Sequence, residues 1–357
     1  MRAVVTTGQG GSEVLQLREV PVPELGPGEV LVEVRAAGIN NTDINLRSGW
    51  YATAMPAASG GASGPTARPS PERAEGGWNR PPPFPLIQGA DACGHVVEAA
   101  PGAGQALVGR RVLVRPCVRE HGFDVLDTVW MGSDFDGAFA QYVRVRASEA
   151  FPVESDWSDA ELGSVPCAFG TAENMLHRSG VEAGETVLVT GASGGVGSAT
   201  VQLARRRGAE VIAVTSAGKR RQVERLGARR VLERSTELTA VLGERSVDVV
   251  VDNVAGEGFS AMLKLLRPGG RLVSSGAIAG PRVELDLRDL YLKDLSLLGS
   301  TAWDEAVFPG LIGYIERGEI RPVVAGTFPL ASIVEAQEAF LRREHVGKLV
   351  VLPWEDG

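Results

Sequence analysis

The 357-residue chain is short of sulfur, imidazole and rings, with three cysteines, four histidines and 6% Phe, Trp and Tyr. Cys93, Cys117 and Cys167 are too few and too scattered for a disulfide framework or a four-cysteine zinc loop, so free thiols are expected. No apolar run reaches the roughly 18 residues that suggest a membrane span, and MRAVVTTGQG lacks a charged-then-apolar leader pattern. A cytoplasmic protein with no membrane partner is predicted. Positive charge is also in deficit: 36 Lys and Arg against 44 Asp and Glu leave a net charge of −8, which argues against a nucleic-acid partner. The length suffices for two domains with proper cores.

What is present is organised around TVLVTGASGGVG, residues 186–197. Val187 to Thr190 read as a buried parallel strand that stops at a glycine-rich turn, and SATVQLARRRG reads as a helix capped by Gly208. Strand, turn and helix together make a phosphate site, because glycines let backbone N–H groups approach a pyrophosphate at a helix N-terminus. The expected cofactor contacts are Ala192, Ser193, Gly194, Gly195, Val196 and Gly197, with Ala192 standing where the first glycine of G-x-G-x-x-G belongs. Further strands are predicted at Glu210–Thr215, Arg230–Leu232, Val247–Asp252, Arg271–Ser274 and Leu295–Gly299, with helices at Lys219–Leu226 and Gly256–Leu266. This alternation argues for an α/β doubly wound parallel sheet with helices on both faces. About 20 positions past the glycines, where an NAD site places an acid, stands Ser216, followed by Lys219, Arg220 and Arg221. A hydroxyl with nearby cations suits a 2′-phosphate, so NADP(H) is predicted, with Ser216, Lys219 and Arg220 as contacts. The competing reading is a solvated basic helix face.

Before residue 150 the chain reads as short strands broken by Pro and Gly, which suggests a compact β-rich domain. Residues 36–51, AAGINNTDINLRSGWY, form a polar loop leading into a helical turn. Residues 52–85, rich in Ala, Gly, Ser and Pro, read as a long irregular insertion, either a lid or a plain surface loop. From Asp156 the pattern turns helical, with Asp156 or Ser158 as N-cap, which puts the first boundary near 150. The predicted division is 1–150, 151–301 and 302–357, the last segment returning to complete the first domain. Leu295–Gly299 is an apolar edge strand able to pair with its twin, so a homodimer is expected.

Taken in order, AAGINNTDINLRSG, GADACGHVVEA, DGAFAQYVRV, CAFGTAENML, VTGASGGVG, LRPGGRLVSSGAIAG and VGKLVVL resemble the medium-chain dehydrogenase/reductase superfamily over almost the whole chain. The resemblance implies a Rossmann domain beside a GroES-like β-rich catalytic domain, with the active site in the cleft between them. Zinc alcohol dehydrogenases of that superfamily carry A-G-I-C, G-H-E and G-C-x-x-x-T at their metal positions. Here Asn40, Ala90 and Asp91 stand in their place, and only Cys167, four residues before Thr171, survives. Catalytic zinc takes about three protein ligands, so the resemblance implies no metal; His95, Cys93 and His177 read as structural.

The chain looks most like the zinc-free quinone oxidoreductase and enoyl-reductase branch, through Gly38, Ile39, Asn40 and Asp43, then Asn45, Gly49 and Tyr51. That likeness puts Asn40 and Tyr51 near the nicotinamide as catalytic residues, Tyr51 as hydrogen-bond donor or proton source. It also implies cofactor contacts at Thr171, Asn253, Val254, Gly276, Ala277 and Ile278, with Lys348 reaching a phosphate or the cleft. The expected reaction is hydride transfer from NADPH to a small electrophile, a quinone or an α,β-unsaturated carbonyl. The alternatives are an alcohol dehydrogenase-type enzyme acting on a ketone or alcohol, and an NADPH-binding protein without turnover.

Overall fold

The computed structural model describes residues 1–51, 80–102 and 104–355. Residues 52–79, most of the predicted insertion and any lid it forms, lie outside the described residues. The described residues divide into two compact units, one of 1–51, 80–168 and 304–355, the other of 169–303. The first division falls inside the helix Pro166–Arg178, later than the expected 150. The reason is the strand Ala150–Pro152, which pairs with Arg111–Val114, and the helix Asp159–Gly163, whose Gly163 lies against Ala36. Both stay with the β-rich unit.

That unit is built on Glu29–Gly38, whose Val30, Val32 and Val34 are fully buried. It pairs antiparallel with Cys93–Ala99, Tyr142–Arg146 and the returning Lys348–Leu352. A smaller sheet, Leu15–Glu19, Arg2–Thr6 and Leu86–Ile87, adds Val4 and Ile87 to the same core. The returning segment also contributes Val324–Pro329, parallel to Lys348–Leu352. That strand had no signal in the sequence, because Gly326 and Pro329 interrupt its apolar positions.

Under these strands lies the helix Ile333–Arg342, whose Gln337 is 2% exposed with neither amide nitrogen nor amide oxygen bonded. An unpartnered buried amide costs about 1–3 kcal/mol. Gln337→Met, which keeps the volume and drops the polar atoms, is therefore expected to raise the unfolding free energy measured in urea by about 1–2 kcal/mol.

The second unit is a six-stranded parallel sheet in the order Arg230–Glu233, Glu210–Thr215, Thr186–Val189, Val247–Asp252, Leu266–Ser274, Ser296–Gly299. Val247–Asp252 is buried at every position, as a central parallel strand requires. The fifth strand begins at Leu266 rather than Arg271: Pro268, Gly269 and Gly270 belong to it, across a register shift against Val247 and Val249. Ser158 is the N-cap expected for the helical run, its hydroxyl accepting the Glu161 N–H, but Pro166 starts a second helix there. Among the described residues no helix is long and apolar enough to cross a membrane.

Candidate functional site

In the parallel-sheet unit the chain leaves Thr186–Val189 and turns at Gly191, whose φ of +58° favours glycine. The turn's first glycine is thus one residue earlier than the motif count placed it. Ala192 is fully buried and gives its N–H to Val214 O, so that N–H is not turned to a ligand. The helix Gly195–Arg206 then starts, and its first intrahelical bond from beyond the turn runs from Ser198 N–H to Gly194 O. The N–H groups of Gly195, Val196 and Gly197 precede it, which leaves three donors at the positive end of a helix. A Cβ on Gly197 would lie 2.7 Å from Ala192 Cα and also strike Gly191 O. The helix can enter this closely only on glycine, and the donors fit a pyrophosphate.

Ser216 follows the strand Glu210–Thr215 and opens the short turn Ala217–Lys219, its carbonyl accepting the Lys219 N–H. Arg220, expected at the same phosphate, instead donates to Glu224 at 2.8 Å along its own helix face. Arg234 carries no signal in the sequence that would place it here. Its N–H bonds Thr215 O at 3.0 Å, because Thr215 and Glu233 are register partners, so an exposed cation stands beside the end of the second strand.

At the end of the fourth strand Asp252, fully buried, accepts the Thr190 hydroxyl at 2.5 Å and the N–H groups of Val254 and Ala255, each at 3.0 Å. Burial pushes its carboxyl up, and those three donors pull it back. Ala255 is held at φ +54°, ψ −139°, a region costly for a residue with a Cβ. Asn253 uses its side-chain oxygen on Ser275, N–H at 3.0 Å and hydroxyl at 2.7 Å, and its carbonyl on the Ile278 N–H. Together with Ala279 N–H on Val254 O, this ties 253–254 to 276–279 at the carboxyl edge of the sheet. Gly276 and Ala277 lie in that second loop; Thr171 is half-buried on the helix Pro166–Arg178.

The β-rich unit holds the other expected group. Asn40 caps the helix Asn41–Arg47, and Asp43, three residues on, accepts the Asn40 N–H at 2.8 Å. The Asn40 side chain is 8% exposed and bonded at both ends, its amide donating to Asp91 Oδ2 at 2.9 Å and Gly38 O at 3.2 Å. Its Oδ1 accepts from Lys348 Nζ at 2.6 Å. Lys348, expected at a phosphate or the cleft, is 3% exposed and also donates to Asp91 Oδ2 at 2.9 Å and Ile39 O at 2.8 Å. All three ammonium hydrogens have acceptors, and a buried cation is least costly beside a buried carboxylate. The far oxygen of Asp91 accepts the Cys167 N–H at 2.5 Å.

Gly38 has no room for a side chain here: a Cβ would sit 2.9 Å from Lys348 Cε and 3.0 Å from Gly163 O. Nearby Asp43 is pushed up to about 7, chiefly by burial, with the Asn40 N–H and the Lys348 charge drawing it down. Tyr51 stands two residues past Gly49, its ring edge-on to Trp50 at 5.3 Å and its hydroxyl 3.5 Å from Asn45 Nδ2. Burial raises its phenol above the usual value. The three cysteines are buried and unbridged, and burial drives the Cys93 thiol up. Among the described residues no three His, Cys, Asp or Glu side chains gather as a metal group.

Residues 69–155 match the alcohol dehydrogenase GroES-like domain family and residues 195–317 the zinc-binding dehydrogenase family. The acryloyl-coenzyme A reductase of Metallosphaera sedula is 29% identical over 98% of this chain and 99% of its own. A candidate alcohol dehydrogenase from Sinorhizobium meliloti 1021, solved as a crystal structure, is 44% identical with a TM-score of 0.88, covering 99% of this chain and 96% of that one. The quinone oxidoreductase of Thermus thermophilus, solved also with NADPH, is 29% identical with a TM-score of 0.73, covering 99% and 100%. The chain therefore belongs to the medium-chain dehydrogenase/reductase family, oxidoreductases that use nicotinamide cofactors, and pairs a GroES-like domain with a Rossmann-like parallel sheet.

Proposed function

We propose that the protein transfers hydride from NADPH to a quinone or an α,β-unsaturated carbonyl, without zinc. The observation that carries this reading is that Asn40 and Asp91, which with Cys167 stand at the positions resembling metal-ligand sites in the zinc enzymes, are hydrogen-bonded to each other and to Lys348. An amide, a carboxylate already accepting a lysine ammonium, an amide and a backbone N–H, and a single thiol make a poor donor set for zinc. With no Lewis acid, the electrophile's oxygen has to be stabilised by hydrogen bonds. NADPH, when bound, supplies the hydride. The chain's part is to hold the pyrophosphate on the N–H groups of Gly195, Val196 and Gly197, and to meet the 2′-phosphate with Ser216, Lys219 and Arg234. Residues 216–223, which directly follow the second strand, include no acid. Tyr51, a phenol that burial raises further above its usual value, donates a hydrogen bond to the enolate or phenolate oxygen as charge develops.

The test follows NADPH absorbance with quinone, enone and ketone panels, alongside calorimetry with NADPH and NADH. Oxidation with the first two and tighter NADPH binding are expected. Turnover of ketones alone, stimulated by added zinc, would return the protein to the alcohol dehydrogenase reading; no turnover at all would leave a binding protein. Tyr51→Phe is expected to lower kcat by about 100-fold or more while leaving the NADPH Kd unchanged, a loss within the range of a positioned proton donor. A homodimer through Ser296–Gly299 belongs to the same proposal. That strand ends the sheet, with Leu297 37% exposed, and light scattering is expected to give twice the chain mass.

A further inference from the structure

We propose that Lys348 is a positioning residue: a tethered internal ammonium ion that fixes which way the Asn40 amide faces and holds the start of the helix Pro166–Arg178 through Asp91. The assignment of Asn40 to the reacting end of the site rests on the function proposed above; the cation seat itself does not.

The seat is made of oxygen only. Ile39 O, Asn40 Oδ1 and Asp91 Oδ2 surround Nζ at 2.8, 2.6 and 2.9 Å, one acceptor for each ammonium hydrogen. Asn40 Nδ2 closes the ring on the same Asp91 oxygen at 2.9 Å. Turning the amide over would aim its NH2 at the ammonium and its oxygen at the carboxylate, so a single orientation survives. The unshared Asp91 oxygen takes the Cys167 N–H, which makes the carboxylate the joint between the cap of Asn41–Arg47 and the first turn of the next long helix.

Charge balance alone does not explain this arrangement. A lysine meant only to neutralise Asp91 needs one contact; this one also reaches the amide oxygen of a helix cap and the carbonyl before it. The cap in turn begins the helix whose Asn45 reaches the Tyr51 hydroxyl. Slack at Asn40 is therefore slack in the donor proposed for the substrate oxygen, whereas the glycine turn that takes the pyrophosphate lies on separate elements. Loss of Lys348 is thus expected to act on kcat and not on cofactor affinity.

Three variants test this. In Lys348→Met/Asp91→Asn both charges go, so the melting temperature is expected to return most of the way from the Lys348→Met value toward the parent's. Its kcat is expected to stay at least 10-fold down, with the KM for NADPH within twofold. In Lys348→Ala the cut side chain leaves space for propylammonium, which is expected to raise the melting temperature at millimolar concentration and to restore part of kcat. Tetramethylammonium, which has no N–H, is expected to do neither. A double variant as active as the parent overturns the proposal, because it would make the pair a matter of neutrality. So does a Lys348→Ala protein whose melting temperature is indifferent to propylammonium. If that variant does not fold, the double variant decides. A parent protein that oxidises no NADPH with any acceptor would remove the proposed reaction and leave the propylammonium shift as the measure of the seat.

Discussion

Replacing Gly197 by alanine is expected to weaken NADPH binding by about 100-fold, equivalent to about 2.7 kcal/mol. The added methyl has nowhere to go: Ala192 Cα and the Gly191 carbonyl are backbone atoms, fixed by the Ala192 N–H bond to Val214 O and the Gly194 N–H bond to Gly191 O. Relief requires the helix Gly195–Arg206 to back away from the strand end, and its three free donors move with it. Gly194 gives the contrast. A Cβ there meets only Gly191 O at 3.5 Å, and its φ of −75° suits any residue. Gly194→Ala is therefore expected to keep the parent's melting temperature and to lose affinity only if a pyrophosphate comes against that position. Calorimetry and thermal unfolding on the two variants separate the effects. Parent-like NADPH binding by Gly197→Ala would show that the dinucleotide does not use this helix start.

The glycine turn was legible in the sequence because its signals are local: an apolar strand, glycines at short spacing and an amphipathic helix follow one another without a gap. The parallel sheet was legible for the same reason, through repetition of that unit. What escaped depends on register between distant segments. Arg234 is one of nine arginines between 205 and 234, and only the pairing of Thr215 with Glu233 distinguishes it from Arg220, which its own helix turns toward Glu224. Asp252 reads as the polar end of a buried strand until Thr190, Val254 and Ala255 are found around it.

Lys348 illustrates the limit best. In GKLVVL it reads as a residue reaching a phosphate or the cleft, and only the antiparallel pairing of Val350 with Gly38 shows that it meets Asn40 and Asp91, more than 250 residues away in sequence. The division at 168 escaped for a related reason. Helix Asp159–Gly163 has the periodicity of the following unit but packs through Gly163 on Ala36, a contact that no local pattern records.

That same pairing sets the largest stability effect expected of any single change in the β-rich unit. Asp91→Ala removes a carboxylate that is 0% exposed and leaves the Lys348 ammonium buried with two neutral acceptors, a loss expected to cost about 3–5 kcal/mol. The Cys167 N–H and one hydrogen of the Asn40 amide lose their acceptor in the same step. Lys348→Ala strands the carboxylate instead and is expected to cost about as much. The two losses should not add, since each single change already destroys the pair. The double alanine variant is expected to be more stable than the sum predicts by about 2–3 kcal/mol, within the range of coupled contacts. Urea unfolding of the four proteins at pH 7 measures that difference directly. Additive losses would mean that the ammonium and the carboxylate are each stabilised by other groups, and that the ring through Asn40 contributes nothing as a unit.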